Sequence, residues 1–253
     1  MCGMNDIATH NEVFPELTPV MSKEVESMLK AGIHLGHSKS KNHPAMQPYI
    51  FGVRNTIAII DLIKTEEKLR NALNVVREIS SRTGMILFVG TRPGTRRVIL
   101  ETASSAWMPY FIERWIGGTL TNYKMISKRV EQMEMLEKER ETGGFDKYTK
   151  KERARKDDEI ARLKRFFDGL RKLKRMPDAV FVLDITHDTT AVREAKRMKI
   201  PVIALCDSNS NIDLIDYPIP SNDHALPAVK YMLGKITEAI EEGKRQAVEK
   251  KAE

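Results

Sequence analysis

Met85-Ile86-Leu87-Phe88-Val89-Gly90-Thr91-Arg92-Pro93-Gly94-Thr95-Arg96-Arg97 opens on an unbroken apolar run, leaves it through glycine and passes into a stretch rich in arginine. A run this apolar has no wet face, so it reads as a strand buried on both sides, followed by a helix. The same kind of run recurs at Ile57 to Ile60, Tyr110 to Ile112, Ala179 to Leu183 and Val202 to Leu205. Helical patterns separate the runs at Thr65 to Ser81, Pro93 to Ala106 and Thr189 to Lys199, and a last one covers Ala225 to Ala247. Alternating strands and helices predict an α/β fold: a three-layer α/β/α domain with a parallel sheet and right-handed crossovers.

One connection breaks the rhythm. Between the run at Tyr110 and the run at Ala179 the chain is far longer than an ordinary crossover, and nearly all of it has helical character. Ile126, Val130, Met133 and Leu136 recur at steps of three and four, as do Ile160, Leu163, Phe167 and Leu170. Two such stripes separated by Thr142-Gly143-Gly144 predict an inserted antiparallel α-helical coiled-coil hairpin in which each stripe buries the other. Thr149-x-x-Glu152 is the capping-box pattern that opens its second helix.

The net charge of +7 is concentrated on this insertion. Lys147 to Arg175 holds 13 Lys and Arg against 5 Asp and Glu, leaving 29 basic and 30 acidic residues for the rest of the chain. A nearly neutral body with one basic projection points to a polyanion held at a defined place. A solvated helix face is the plainer reading of such a run. No apolar run approaches the roughly 18 to 20 residues that span a bilayer. The first basic residue is Lys23, after several acidic ones, which argues against secretory and mitochondrial targeting and for the cytoplasm. Cys2 and Cys206 are the only cysteines, so no disulfide framework is expected.

Four segments carry polar residues that invite chemistry. The turn from Gly90 to Arg97 lacks the spacing of either phosphate-binding glycine motif, and Pro93 removes a donor, so a contact with RNA phosphate or plain helix-start geometry fits it better. His34, His37 and His43 lie among Gly32, Gly36, Pro44 and Pro48 with no cysteine nearby. A polar loop resting on RNA or on the domain suits them better than zinc. Asp61, Asp184 and Asp207 each follow an apolar run, so a parallel sheet would line them along one edge, although Asp is also a common helix cap. Arg114-Trp115-Ile116-Gly117-Gly118 reads equally as a base-stacking site and as a buried hinge into the hairpin. No catalytic constellation is defensible from spacing, and no enzyme is expected.

Taken in order, several segments give the chain a family. His34-Leu35-Gly36-His37, Pro48-Tyr49-Ile50-Phe51-Gly52, Phe88-Val89-Gly90-Thr91, Arg114-Trp115-Ile116-Gly117-Gly118 with Leu120-Thr121-Asn122, Pro177-Asp178-Ala179 and Asp216-Tyr217-Pro218-Ile219-Pro220 resemble the small-subunit ribosomal protein two family in its bacterial type, over about Met28 to Gly243. The resemblance implies a flavodoxin-like sheet of five parallel strands interrupted by the coiled-coil hairpin. It further implies a structural constituent of the small ribosomal subunit, bound to 16S-type ribosomal RNA between head and body. Neighbouring small-subunit proteins are implied as partners, including ribosomal protein one, which the protein would help to recruit. Some relatives hold a divalent metal ion with an Asp matching Asp207 and an Asp pair matching Asp223 and His224; here the second member of that pair is histidine.

Residues 1–21 have no counterpart and read as an N-terminal extension. Residues 22–121 and 177–248 form the α/β domain, and 122–176 the hairpin. The expected RNA contacts are Lys39 and Lys41 in the histidine loop, Arg92, Arg96 and Arg97 at the glycine turn, and Lys150, Lys151, Arg153, Arg155, Lys164 and Arg165 on the hairpin. Such contacts neutralise phosphates, so binding should weaken steeply with salt and depend little on base identity. The alternative is an α/β enzyme that binds a phosphorylated small molecule at the sheet's carboxyl edge.

Overall fold

The computed structural model describes residues 22–252; the N-terminal extension expected at 1–21, with Cys2, lies outside them. Helix α1 (Lys23–Lys30) is capped by Ser22, whose side chain accepts from the Val25 N–H. Next comes a small antiparallel sheet of β1 (Leu35–Ser38), β2 (Ile50–Arg54) and β3 (Ile57–Ile60), in the order β1-β3-β2. Strands β2 and β3 are joined by Asn55 and Thr56 alone, both at positive φ (47° and 66°), the hairpin turn whose twist matches its strands.

This sheet corrects one expectation. Ile57 to Ile60 is a strand, but it pairs with its neighbours in a hairpin and takes no place in the parallel sheet. The fifth parallel strand is Tyr217–Pro220, whose two prolines disguise it. It pairs on one side only, so an edge position needs fewer backbone donors and tolerates proline.

After β3 come α2 (Leu62–Ser81), β4 (Ile86–Val89), α3 (Arg96–Ser105) and β5 (Tyr110–Phe111), then the insertion with α4 (Tyr123–Glu141) and α5 (Lys150–Phe167). The chain ends with β6 (Ala179–Val182), α6 (Thr189–Arg197), β7 (Val202–Cys206), β8 (Tyr217–Pro220) and α7 (Leu226–Ala252). All pairs in the large sheet are parallel, in the order β5-β4-β6-β7-β8. Numbered within that sheet the order is 2-1-3-4-5, the flavodoxin-like arrangement.

Alternation along the strands builds two cores. Ile86, Phe88, Phe181, Ile203 and Ile219 face α1, α2, α3 and α7, whereas Leu87, Val89, Val180, Val182 and Ala204 face α6 and the root of the insertion. Each strand thus sends successive side chains to opposite layers. No helix among the described residues is long and apolar enough to cross a membrane.

Helices α4 and α5 form an arm. Ile126, Val130, Met133 and Leu136 on one, and Ile160, Leu163 and Phe167 on the other, are buried in one cluster. Arg140 pairs with Asp157 and Glu137 with Lys164, so the helices run antiparallel. At the tip Phe145 meets Tyr148 edge-on and Lys156 lies over both rings. The capping box forms: the Glu152 N–H donates to Thr149 Oγ1, and Glu152 accepts from the Thr149 N–H. Gly169 sits where the arm rejoins the body, and a Cβ there would lie 2.2 Å from the Tyr110 carbonyl oxygen.

Candidate functional site

Charged residues gather in three places. The first is the joint between arm and sheet, organised by Glu194. Helix α6 carries Ala191, Val192 and Ala195 on its buried face, and Glu194 shares that burial. Its carboxylate accepts from Trp115 Nε1 (3.1 Å), the backbone N–H groups of Gly118 (2.8 Å), Leu120 (3.0 Å) and Thr121 (3.1 Å), and the Thr121 hydroxyl (3.2 Å). Burial alone would push this carboxyl's pKa up, but the donors of Gly118, Thr121, Leu120 and Trp115 outweigh it and hold it below the ordinary range. Trp115 is only 9% exposed, so of its two readings the buried hinge is correct. Glu194 escaped the sequence reading, although its place three residues after Ala191 on an apolar face was a signal.

The second place is the carboxyl edge of the parallel sheet. Asp184 follows β6, Asp207 follows β7 and Asp223 follows β8, all buried. Asp61 is not among them. It ends the antiparallel β3 and caps α2, accepting from the N–H groups of Ile63 (3.0 Å) and Lys64 (3.4 Å). Asp223 therefore stands where Asp61 was expected.

Two histidines join this edge. Strand β1 and the loop after it are fastened to Ser208: the His37 N–H donates to its Oγ and the His43 N–H to its carbonyl. Gly36 permits the approach, since a Cβ there would lie 2.9 Å from Ser208 Oγ. His37 Nδ1 consequently stands 3.0 Å from Asp207 Oδ2, and the His37 and His224 rings meet edge-on at 4.5 Å. Ligand atoms of His37, Asp207 and His224 lie within 4.8 Å of one another.

Among the described residues, neither Asp223 oxygen receives a hydrogen bond. The nearest nitrogens to its Oδ1 are His224 Nε2 at 3.2 Å and Arg92 Nη1 at 3.9 Å. Burial, followed by the charges of Asp184 and Asp207, raises the Asp223 pKa well above the ordinary carboxylate range. The Asp207 carboxylate raises the His37 pKa, whereas burial and then Arg92 lower that of His224.

The glycine turn is occupied from within. The Thr91 N–H, a donor a phosphate would need, donates to Asp188 Oδ2 at 3.2 Å, and the Thr91 hydroxyl donates to Oδ1 at 2.7 Å. Arg92 donates to Asp184 (3.4 Å), Arg96 to Glu113 (3.1 Å) and the Thr91 carbonyl (3.0 Å), and Arg97 to Glu101 (2.7 Å).

The third place is the arm, where the basic residues divide into two sets. Arg153 holds the tip through Asp146 and the Tyr148 carbonyl, Lys164 pairs with Glu137 at 2.6 Å, and Arg165 reaches Glu113 at 3.2 Å. Arg171 also clasps Glu137; chiefly through that guanidinium, with Lys164 adding and burial opposing, the Glu137 carboxyl is held down at about 2. Lys150, Lys151, Arg155 and Arg162 are exposed and have neither ion pair nor hydrogen bond among the described residues. Steps of four and seven put Lys151, Arg155 and Arg162 on one face of α5. Lys39 and Lys41 are exposed beside the acidic edge.

Residues 28–243 match the family described as Ribosomal protein S2. The small ribosomal subunit protein uS2 of Thermus thermophilus is 42% identical over 225 residues, covering 89% of this chain and 88% of that protein. Its counterpart in Dehalococcoides mccartyi is 41% identical over 216 residues, covering 85% and 88%.

Proposed function

Since this chain belongs to the ribosomal protein S2 family, we propose that it is a structural constituent of the small ribosomal subunit and binds 16S-type ribosomal RNA with the outer face of its arm. One observation carries this reading: Lys150, Lys151, Arg155 and Arg162 stay uncompensated on a helix whose other cations are neutralised within the fold. Exposed, unpaired cations release counterions when they meet phosphate, whereas cations already paired must first give up a carboxylate. Lys39 and Lys41 extend the basic surface onto the body. The arm's apolar seam packs as a short coiled coil and keeps the four cations on its outside. The protein sits between head and body in the cytoplasmic ribosome, where neighbouring small-subunit proteins adjoin it and it supports recruitment of ribosomal protein one.

Reversal of Lys150, Lys151, Arg155 and Arg162 to Glu, followed by co-sedimentation with small subunits, tests the arm. Occupancy should fall sharply at moderate salt, and unchanged occupancy would exclude the arm from RNA binding. An enzyme acting on a phosphorylated small molecule is the weaker reading, because Asp188 occupies the Thr91 N–H that would hold the phosphate and Arg92 and Arg96 are already paired with Asp184 and Glu113.

The donor set at the sheet edge fits a divalent ion. His37, Asp207 and His224 would hold it, with the unbonded carboxylate of Asp223 behind them. Two imidazoles with carboxylate suit a zinc-class ion better than magnesium. Bound there, the ion would offset the buried negative charge and fasten β1 to the parallel sheet. Zinc should raise the melting temperature of the metal-free protein, and this gain should vanish in His37→Ala.

A further inference from the structure

We propose that Trp107, with Lys172 and Lys244, forms a stacking platform for one nucleotide of single-stranded RNA. The Trp107 N–H donates to the Ser104 carbonyl (3.2 Å) and the Met108 N–H to the Ala103 carbonyl (2.9 Å), which closes helix α3 in a Schellman motif. Trp107 is the residue after the cap and has the left-handed φ of +57° that the motif requires. Glycine is the usual residue there, and a bulky aromatic is strained in that conformation.

Packing does not account for the tryptophan. Ala103 and Met108 make the motif's buried apolar contact, while Trp107 is 70% exposed, more than any other large apolar residue described. A strained backbone that presents a large aromatic ring to solvent points to use by a partner.

The ring's surroundings define the ligand's chemistry. Lys172 Nζ lies 4.2 Å from the indole centroid, and Lys244 Nζ donates to the Ala106 carbonyl at 2.5 Å. Neither ammonium has a carboxylate within ion-pair distance among the described residues. The two ammoniums also repel each other, and burial followed by the Lys172 charge lowers the Lys244 pKa. A flat hydrophobic face beside two cations that form no ion pair among the described residues fits a ligand that has both an aromatic ring and a negative charge. A nucleotide has both, with its base on the indole and its phosphate against the lysines. Lys172 follows the arm directly, so a strand lying along the arm's root would reach the ring.

This inference rests on the RNA-binding reading, and the test separates the two. Trp107 and Trp115 are the only tryptophans, and Trp115 is buried. Titration of the full chain with single-stranded oligouridylate should therefore quench indole emission through Trp107 alone, and Trp107→Phe should abolish that quenching while keeping most of the affinity. Trp107→Gly relieves the backbone strain, so it should melt no lower than the parent, yet bind the oligonucleotide about tenfold more weakly. Equal affinity of parent and Trp107→Gly, or no quenching at saturation, overturns the platform. In that event, loss of subunit occupancy in the arm variant would leave the RNA-binding reading standing. An arm variant with full occupancy alongside a responsive Trp107 gives the converse result.

Discussion

The outer face of the arm and the carboxyl edge of the sheet are both crowded with charge, yet they treat it in opposite ways. At the edge, Asp184 and Asp207 are buried and are answered by Arg92 and His37 from other segments, while burial holds Asp223 toward its neutral form beside its neighbour His224. On the arm, Lys150, Lys151, Arg155 and Arg162 face solvent and are answered by nothing among the described residues. Buried charges demand partners from the molecule itself because desolvation is costly, whereas exposed ones are free to demand theirs from outside. A charge's location within the fold, more than its place in a basic run, thus shows whether it serves the structure or a partner.

The sharpest way to break this contrast is to remove an internal charge. Glu194→Ala strips a buried acceptor from the donors of Trp115, Gly118, Leu120 and Thr121 and should destabilise the protein by about 3 to 5 kcal/mol, read by chemical denaturation. A loss below about 1 kcal/mol would mean that the joint of the arm does not depend on it.

Neutralising Lys150, Lys151, Arg155 and Arg162 together to Gln should have the opposite profile. Affinity for the ribosomal RNA should fall about 100-fold at moderate salt, the slope of log affinity against log salt should become shallower by about 3, and the melting temperature should hardly change. A similar fall from neutralising the paired Arg153 and Lys164 would erase the distinction between the two sets.

A smaller effect should appear with acid. The folded pKa of Glu137, about 2, lies below the ordinary value of 4.5, so its pairing with Arg171 and Lys164 stabilises the arm above about pH 4.5. That contribution should fade as pH falls through this range toward 2, and about 1 to 2 kcal/mol of acid-dependent loss should be absent in Glu137→Gln. Equal acid sensitivity in parent and variant would place the acid-labile group elsewhere.

Much of the architecture was legible locally. The stripes from Ile126 to Leu136 and from Ile160 to Leu170, and the Thr149 capping box, depend on residues three or four apart, and the arm follows them. The all-apolar runs at Ile86, Ala179 and Val202 were read correctly as strands of a parallel sheet for the same reason. Ile57 to Ile60 was read into the wrong sheet because an apolar run is equally at home in a hairpin, and the two-residue Asn55-Thr56 turn that pairs it with β2 was overlooked. Tyr217 to Pro220 was missed because proline lowers strand character everywhere except at an edge.

The candidate sites were less legible. Asp184 and Asp207 were placed at the sheet edge by the apolar runs before them, Asp223 and His224 entered only through the family resemblance, and His37 joins them because β1 is fastened to Ser208 across most of the chain. Of the two readings left open for Trp115, the buried one holds, with its indole N–H on Glu194, while Trp107, to which the sequence reading gave no role, is exposed.

Hydrophobic period, capping residues and the clustering of basic side chains were enough to establish an α/β body with a basic helical arm, because each acts over a few residues of backbone. Which cations remain unpaired, which carboxylates share an edge and which tryptophan meets solvent depended on segments far apart in the chain being brought within a few ångströms. Pairing and desolvation act over those distances, and no local pattern encodes them.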